Sequence, residues 1–371
     1  MKILHVNTHL NAGGIGQYIV TLASALKDKG VECVVASSGG ELVGILEARG
    51  IRHRLLDIRT KSELSPKVAA SILPLKRIIA EEKIDLLHAH TRVSQVTSFF
   101  ASAIAGTGFV STCHGYFKPR LSRRLFDTWG KKVIAISGAV ERHLADDFRI
   151  TKSRIRLVHN GIDLSRFSKD YSAGDKARVK KLQGLGEGPV IGTMGRLSPV
   201  KGQRYLVEAM KSVISKRADA QCLIVGRGGE EPALRQLALS AGISERICFA
   251  GCPWEDVPLY LSCMDIFVLP SVEEGLGLAL LEAMARSLPC IGSDTGGIRD
   301  IIKEGINGLL VKPQDSGLLA KTILMLLEDK KLAHNLAAQG REEVKKNFSS
   351  DKMADGIIKV YKEVLHVDNR G

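Results

Sequence analysis

The chain has 371 residues and a mass of 40.2 kDa, enough for two domains of ordinary size. Hydrophobic residues make up 44% and charged residues 25%, which excludes a disordered or low-complexity chain, and seven scattered cysteines without a CxxC pair exclude a disulfide framework and a structural zinc site. The net charge of +13 is uneven: residues 1–170 hold 26 Lys+Arg against 15 Asp+Glu, whereas residues 171–371 hold 27 against 25, so an anionic partner is expected at the first half.

The first fourteen residues contain a short apolar stretch and no cleavage-site pattern, so they read as a first strand rather than a signal peptide. With cysteines that suit a reducing compartment, a cytoplasmic location is expected. Strands are predicted at 3–6, 33–36, 53–56, 86–89, 109–112 and 133–136, with helices beginning near Gly16, Glu41, Lys67, Val93 and Leu121. Residues 93–113 carry no Asp, Glu, Lys or Arg over a length able to span a bilayer. Ser94, Gln95, Thr97, Gly106 and Gly108 interrupt them, so a buried helix followed by a buried strand is expected instead. A charged, glycine-bearing stretch follows. The pattern then restarts, with strands at 190–194, 221–225, 247–250, 266–269, 290–291 and 308–311 and helices near Gln203, Pro232, Asp256, Gly277 and Ser316. This alternation predicts an α/β protein of two doubly wound, Rossmann-like domains facing each other across a cleft. Residues 1–165 form the first domain, 166–188 a linker and 189–350 the second domain. Residues 351–371 carry a C-terminal amphipathic helix able to pack back on the first domain.

Several loops carry residues suited to chemistry. Gly14 and Gly16 lie between the first strand and a helix, where glycines admit a phosphate to backbone N–H groups or simply make a tight turn. The nicotinamide fingerprint fails there, because Ile19 stands where its third glycine belongs, and no P-loop ending occurs. Arg196 and Lys201 follow a strand on a Gly/Pro-bounded loop; they can close on a diphosphate or form a solvated loop end. In the run Glu274-Gly275-Leu276-Gly277-Leu278, a loop carboxylate precedes a helix start whose N–H groups are free to bind oxygen. Glu282 lies further on, inside an apolar helix where a carboxylate needs donors. Sugar hydroxyls could supply them, and so could a salt bridge to Arg196 or Lys201. His114 ends a strand and could contact a sugar or be an ordinary core histidine. Lys118, Arg120, Arg123, Arg124 and Trp129 fit a basic amphipathic segment, either lying on an anionic membrane surface and meeting an anionic acceptor, or solvated.

In this order, Gly13-Gly14-Ile15-Gly16, His114-Gly115, Asn160-Gly161-Ile162-Asp163, the Arg196–Lys201 loop, Glu274 with Glu282, and Thr295-Gly296-Gly297 resemble the retaining nucleotide-sugar glycosyltransferases of glycosyltransferase family 4, which have the GT-B fold. The resemblance covers nearly the whole chain. It implies that Arg196 and Lys201 bind the donor diphosphate, that Glu282 binds the ribose, and that Glu274 holds the transferred sugar. Gly275, Leu276, Gly277 and Leu278 would line the donor, Gly14 and Gly16 would approach its phosphates, and His114 would touch the sugar. It implies no metal and no cofactor beyond a nucleotide-sugar co-substrate, with uridine diphosphate the family's commonest carrier; no Asp-x-Asp motif occurs in the chain. Transfer of a hexose or N-acetylhexosamine to a saccharide, lipid-linked or lipopolysaccharide-type acceptor is expected, with peripheral contact at the inner face of the membrane. One departure is Asp300, where family members often carry Glu. The alternatives are a sugar-nucleotide 2-epimerase on the same fold and a basic nucleic-acid-binding protein, the latter opposed by only 5% aromatic residues.

Overall fold

The computed structural model describes residues 1–119 and 127–368, which divide into two compact units: residues 1–161 with 350–371, and residues 162–349. The first unit holds a fully parallel seven-stranded sheet: β1 Lys2–Val6, β2 Glu32–Ser37, β3 Arg52–Leu55, β4 Leu86–Ala89, β5 Gly108–Cys113, β6 Lys132–Ala135 and β7 Ile155–Leu157. The order is β3-β2-β1-β4-β5-β6-β7. Strands β4 and β5 are buried throughout, as expected where helices cover both faces of a parallel sheet. Chain order reverses between β1 and β4, so loops at their carboxyl ends diverge and leave a crevice.

The second unit repeats the plan with β8 Val190–Met194, β9 Gln221–Val225, β10 Ile247–Ala250, β11 Ile266–Leu269, β12 Cys290–Ser293 and β13 Leu309–Val311, in the order β10-β9-β8-β11-β12-β13. Its reversal lies between β8 and β11, where Ile191 pairs with Ile266. Helices Gln203–Lys216 and Ser316–Glu328 pack on each other over one face, burying Leu206, Met210, Leu319 and Ile323.

Three expectations need correction. The stretch read as a linker, 166–188, is mostly helical and belongs to the second unit. Helix Leu164–Ser168 buries Phe167, and helix Ala173–Leu182 starts with a reciprocal cap in which Ser172 and Asp175 exchange hydrogen bonds. The second unit therefore begins at Ile162, not 189. Strand β7 and the helix Lys330–Asn347 also lie where no element was expected. The last helix, Ser350–Asp368, packs in the first unit against the helix Gly14–Asp28, burying Met353, Ile357, Val360 and Tyr361. Its Tyr361 hydroxyl lies 2.6 Å from His88 Nδ1, and Glu363 holds Arg156 at 2.7 Å.

Candidate active site

The second unit gathers most of the expected donor residues at the carboxyl ends of β8, β11 and β12. The loop after β8 is pinned twice: Leu197 N–H donates to the Arg227 carbonyl, and the Val200 carbonyl accepts from Val272 N–H, at 3.0 and 2.8 Å. The second contact ties it to the loop after β11, which carries Glu274. The loop after β12 closes on the same segment, because Gly297 N–H donates to the Glu274 carbonyl at 3.0 Å. Only glycine fits there, since a Cβ on Gly297 would lie 2.2 Å from the Gly275 carbonyl oxygen. The Thr295-Gly296-Gly297 motif thus acts by close backbone approach.

Within this frame Lys201 Nζ lies 2.6 Å from Glu274 Oε2, and Ser271 Oγ donates to the same oxygen at 2.9 Å. Glu274 is buried, while Lys201 is a quarter exposed. Arg196 is exposed, and its guanidinium has no partner among the described residues. Beyond Glu274, Gly277 sits at φ 110° and starts the helix Leu278–Ala285. Among the described residues the N–H groups of Leu276, Gly277 and Leu278 donate to no carbonyl outside the helix, and a first helical turn offers them none inside it. They form an unfilled row of donors beside Gly275.

Glu282 does not pair with Arg196 or Lys201; Lys201 is taken by Glu274. Its carboxyl is buried and makes no hydrogen bond or ion pair among the described residues. Burial pushes its carboxyl up to about 7, against the pull of Arg166. Sequence reasoning missed Arg166, because it lies in the stretch read as a turn and linker. Its one local signal is a cation beside Phe167 just after Asp163, which caps the helix by accepting from Ser165 N–H at 3.1 Å.

In the first unit Gly14 opens the helix Gly14–Asp28 and is exposed. Gly16 is buried, and its Cβ would stand 2.5 Å from the Asn11 carbonyl oxygen, so the tight turn alone accounts for that glycine. His114 follows β5 and ends a string of imidazoles: His5 Nδ1 lies 3.0 Å from His90 Nε2, and His90 Nδ1 lies 3.3 Å from His114 Nε2. His88 bridges Tyr361 and Thr112, at 2.6 and 2.7 Å. Burial lowers all four pKa values, those of His5 and His114 to about 3, so the rings are neutral at pH 7. His5, His88 and His90 bring ring nitrogens within 4.8 Å of one another, close enough for a metal ion. Both nitrogens of His88 and of His90 are already hydrogen-bonded, so the set is a polar network in which His5 Nε2 lacks a partner.

Of the basic segment, Arg120, Arg123 and Arg124 lie outside the described residues, as do Leu121 and Leu125. Lys118 is exposed. Trp129 is not a surface residue: it is 2% exposed and packs against Phe117 and Phe148, with the Arg92 guanidinium 5.6 Å from its ring centroid. An aromatic so enclosed cannot anchor in a lipid interface. Among the described residues no helix is long and apolar enough to cross a membrane.

Two Rossmann-like units, with a cation–carboxylate pair at the switch point of the second, have the architecture of the GT-B fold, and the family models and relatives that match the chain make it a glycosyltransferase. The family model "Glycosyltransferase Family 4" matches residues 12–166, and "Glycosyl transferases group 1" matches residues 175–343. It is similar to the N-acetyl-alpha-D-glucosaminyl L-malate synthase of Bacillus anthracis, 29% identical over 80% of this chain and 79% of that protein. It is also similar to the UDP-Gal:alpha-D-GlcNAc-diphosphoundecaprenol alpha-1,3-galactosyltransferase of Escherichia coli, 28% identical over 80% and 79%. Among solved structures, Anabaena HepE in complex with UDP-glucose superposes with a TM-score of 0.86 at 23% identity, covering 98% of this chain and 100% of that one. These matches give the epimerase alternative no support.

Proposed function

We propose that the chain is a retaining glycosyltransferase that moves a hexose or N-acetylhexosamine from a uridine diphosphate sugar to a saccharide or lipid-linked acceptor, without a metal ion. The reading is carried by the second unit's switch point, where Lys201 pairs with Glu274 beside a row of N–H groups unfilled among the described residues, and by the buried carboxyl of Glu282 on the helix those groups begin. Each group matches one part of such a donor. Lys201 and Arg196 neutralise the diphosphate as it leaves, and the N–H row adds donors to its oxygens. Glu282 accepts from the ribose hydroxyls. Glu274, now held by Lys201, is freed to accept from sugar hydroxyls when the diphosphate takes over that cation. Retention is what the family resemblance implies; with none of these residues placed as a covalent nucleophile, it is read as direct transfer on one face of the sugar, the acceptor oxygen bonding to the anomeric carbon as the diphosphate leaves. HepE holds UDP-glucose, and the Escherichia coli relative is named for UDP-Gal, which supports uridine as the base.

The basic first half is assigned to the acceptor. Malate and a diphosphoundecaprenol appear in the relatives' names; both are anionic, and the lipid-borne one would bring Lys118 to a membrane surface. His114, held neutral, is assigned to the transferred sugar. The test is a thermal-shift screen of sugar nucleotides followed by transfer assays on Lys201→Ala. Loss of one well-placed donor at a developing charge costs about 10²–10³ in rate. Wild-type turnover in the purified variant would overturn the site, and a rate abolished by EDTA would overturn the metal-free mechanism.

A further inference from the structure

The donor reading leaves one question open: what keeps Glu282 charged. A carboxylate removed from water and left unpaired takes up a proton, and a protonated carboxyl accepts fewer hydrogen bonds from a vicinal diol. The helix Leu164–Ser168 packs against the helix Leu278–Ala285 and brings Arg166 within electrostatic reach of Glu282. Arg166 is itself fixed. Its Cζ lies 3.6 Å from the centroid of the Trp254 indole, and its Nη2 donates to the Trp254 carbonyl at 2.6 Å. Arg286, just past the end of the second helix, fastens the pair by donating to the Phe167 and Lys169 carbonyls at 2.8 and 2.7 Å.

The other ionisable groups around Glu282 do not replace that charge. Cys252 is pushed up to about 12 by burial and neighbouring carboxylates, and Cys290 on β12 is likewise held protonated by burial. Strand β11 offers no ionisable side chain. The helix Lys330–Asn347 turns Arg341 to Ser287 and Glu343 to Lys303.

We propose that Arg166 is a positioning residue for the donor, favouring the ionised form of Glu282 that receives the ribose hydroxyls while Trp254 holds Arg166 in place. This rests on the donor-site reading above. Arg166 acts through Glu282, so its loss weakens donor binding at neutral pH and spares it once the pH is high enough to ionise Glu282 unaided.

The probe is UDP-glucose, whose two phosphates are both esterified and do not titrate near neutrality. Its affinity is measured by calorimetry from pH 6 to pH 9 for the wild type, R166Q, R166K and E282Q. The wild type is expected to bind more tightly as pH rises through about 7, and E282Q to bind weakly with a flat profile. R166Q should shift the midpoint upward by about one unit, raise Kd at pH 7 roughly fivefold and recover by pH 9. R166K should restore most of the loss. R166M, which keeps an unbranched chain over the indole, replaces R166Q if that variant does not fold. An R166Q profile equal to the wild type, or a loss of the same size at every pH, overturns the inference and leaves the donor site standing. E282Q binding as tightly as the wild type at every pH, or no UDP-glucose binding by the wild type, overturns the donor reading and this inference with it.

Discussion

Replacing Glu282 with glutamine is expected to stabilise the second unit at alkaline pH while it weakens donor binding. Burial raises the Glu282 carboxyl from 4.5 to about 7. Between those values the folded chain keeps a proton that the unfolded chain has released, so stability falls as pH climbs through that window. At about 1.4 kcal/mol per unit, the loss reaches roughly 3 kcal/mol by pH 8. Glutamine has no proton to lose. The variant also buries an amide, whose cost does not depend on pH, so the informative quantity is the change in the difference between wild type and variant from pH 5 to pH 8. For a unit of this size that change corresponds to roughly 6–10 °C in Tm, in favour of the variant at the higher pH. Scanning calorimetry at the two pH values, without ligand, reads it directly. A difference that stays constant would show that Glu282 ionises normally inside the fold, and the account of an unpaired buried carboxylate would be wrong.

The first unit should respond to pH in the opposite sense. His5 is buried neutral with its pKa lowered to about 3, so its contribution is complete above 6.5 and is lost as pH falls below it; about 2 kcal/mol of its own should go between pH 7 and pH 5, and His5→Gln should reduce the fall in Tm by that share while His88, His90 and His114 keep the rest. Tyr361→Phe removes the hydroxyl 2.6 Å from His88 Nδ1 and should cost the first unit about 1–3 kcal/mol in urea unfolding. Gly297→Ala places a methyl group 2.2 Å from the Gly275 carbonyl and should displace the Glu274 loop, lowering thermal stabilisation by UDP-glucose while the circular dichroism spectrum stays native.

Where a segment's own residues decide its structure, the sequence was readable. Ile3, Val34, Leu87 and Val110 stand in apolar runs that can only be buried strands, and twelve of the observed strands coincide with expected ones within a residue or two. The helix Ala173–Leu182 was missed because Val179 is its one buried residue and its stability comes from the Ser172–Asp175 cap. Strand β7, Ile-Arg-Leu, is too short to show a period. The site divides in the same way. Glu274 and Lys201 could be found because each sits on a glycine-marked loop at a strand end, but their mutual ion pair depends on β8 and β11 being neighbours, which chain order does not reveal. Trp129 reads as a surface anchor in the sequence because it follows Lys118, Arg120, Arg123 and Arg124 in one basic amphipathic segment. In the structure it precedes β6 and packs under Phe117 and Phe148. Arg166 reaches Glu282, 116 positions further along the chain, only through the packing of two helices.

The cost of keeping Glu282 unpaired also predicts how ligand should stabilise the chain. Without a donor, the ionised carboxylate faces burial with Arg166 as its one opposing charge. On the proposed donor reading, a bound ribose supplies two hydroxyl hydrogens to the same oxygens, and it does so best when the proton is gone. Donor binding must therefore release a proton near neutrality, and by linkage the stabilisation it confers must grow with pH. Over the range in which the free second unit weakens, the complexed one should hold nearly constant. At a fixed excess of UDP-glucose, the ligand-induced rise in Tm should then be larger at pH 8 than at pH 6, and E282Q should abolish the increase. A rise independent of pH in the wild type would mean that the ribose does not meet this carboxylate.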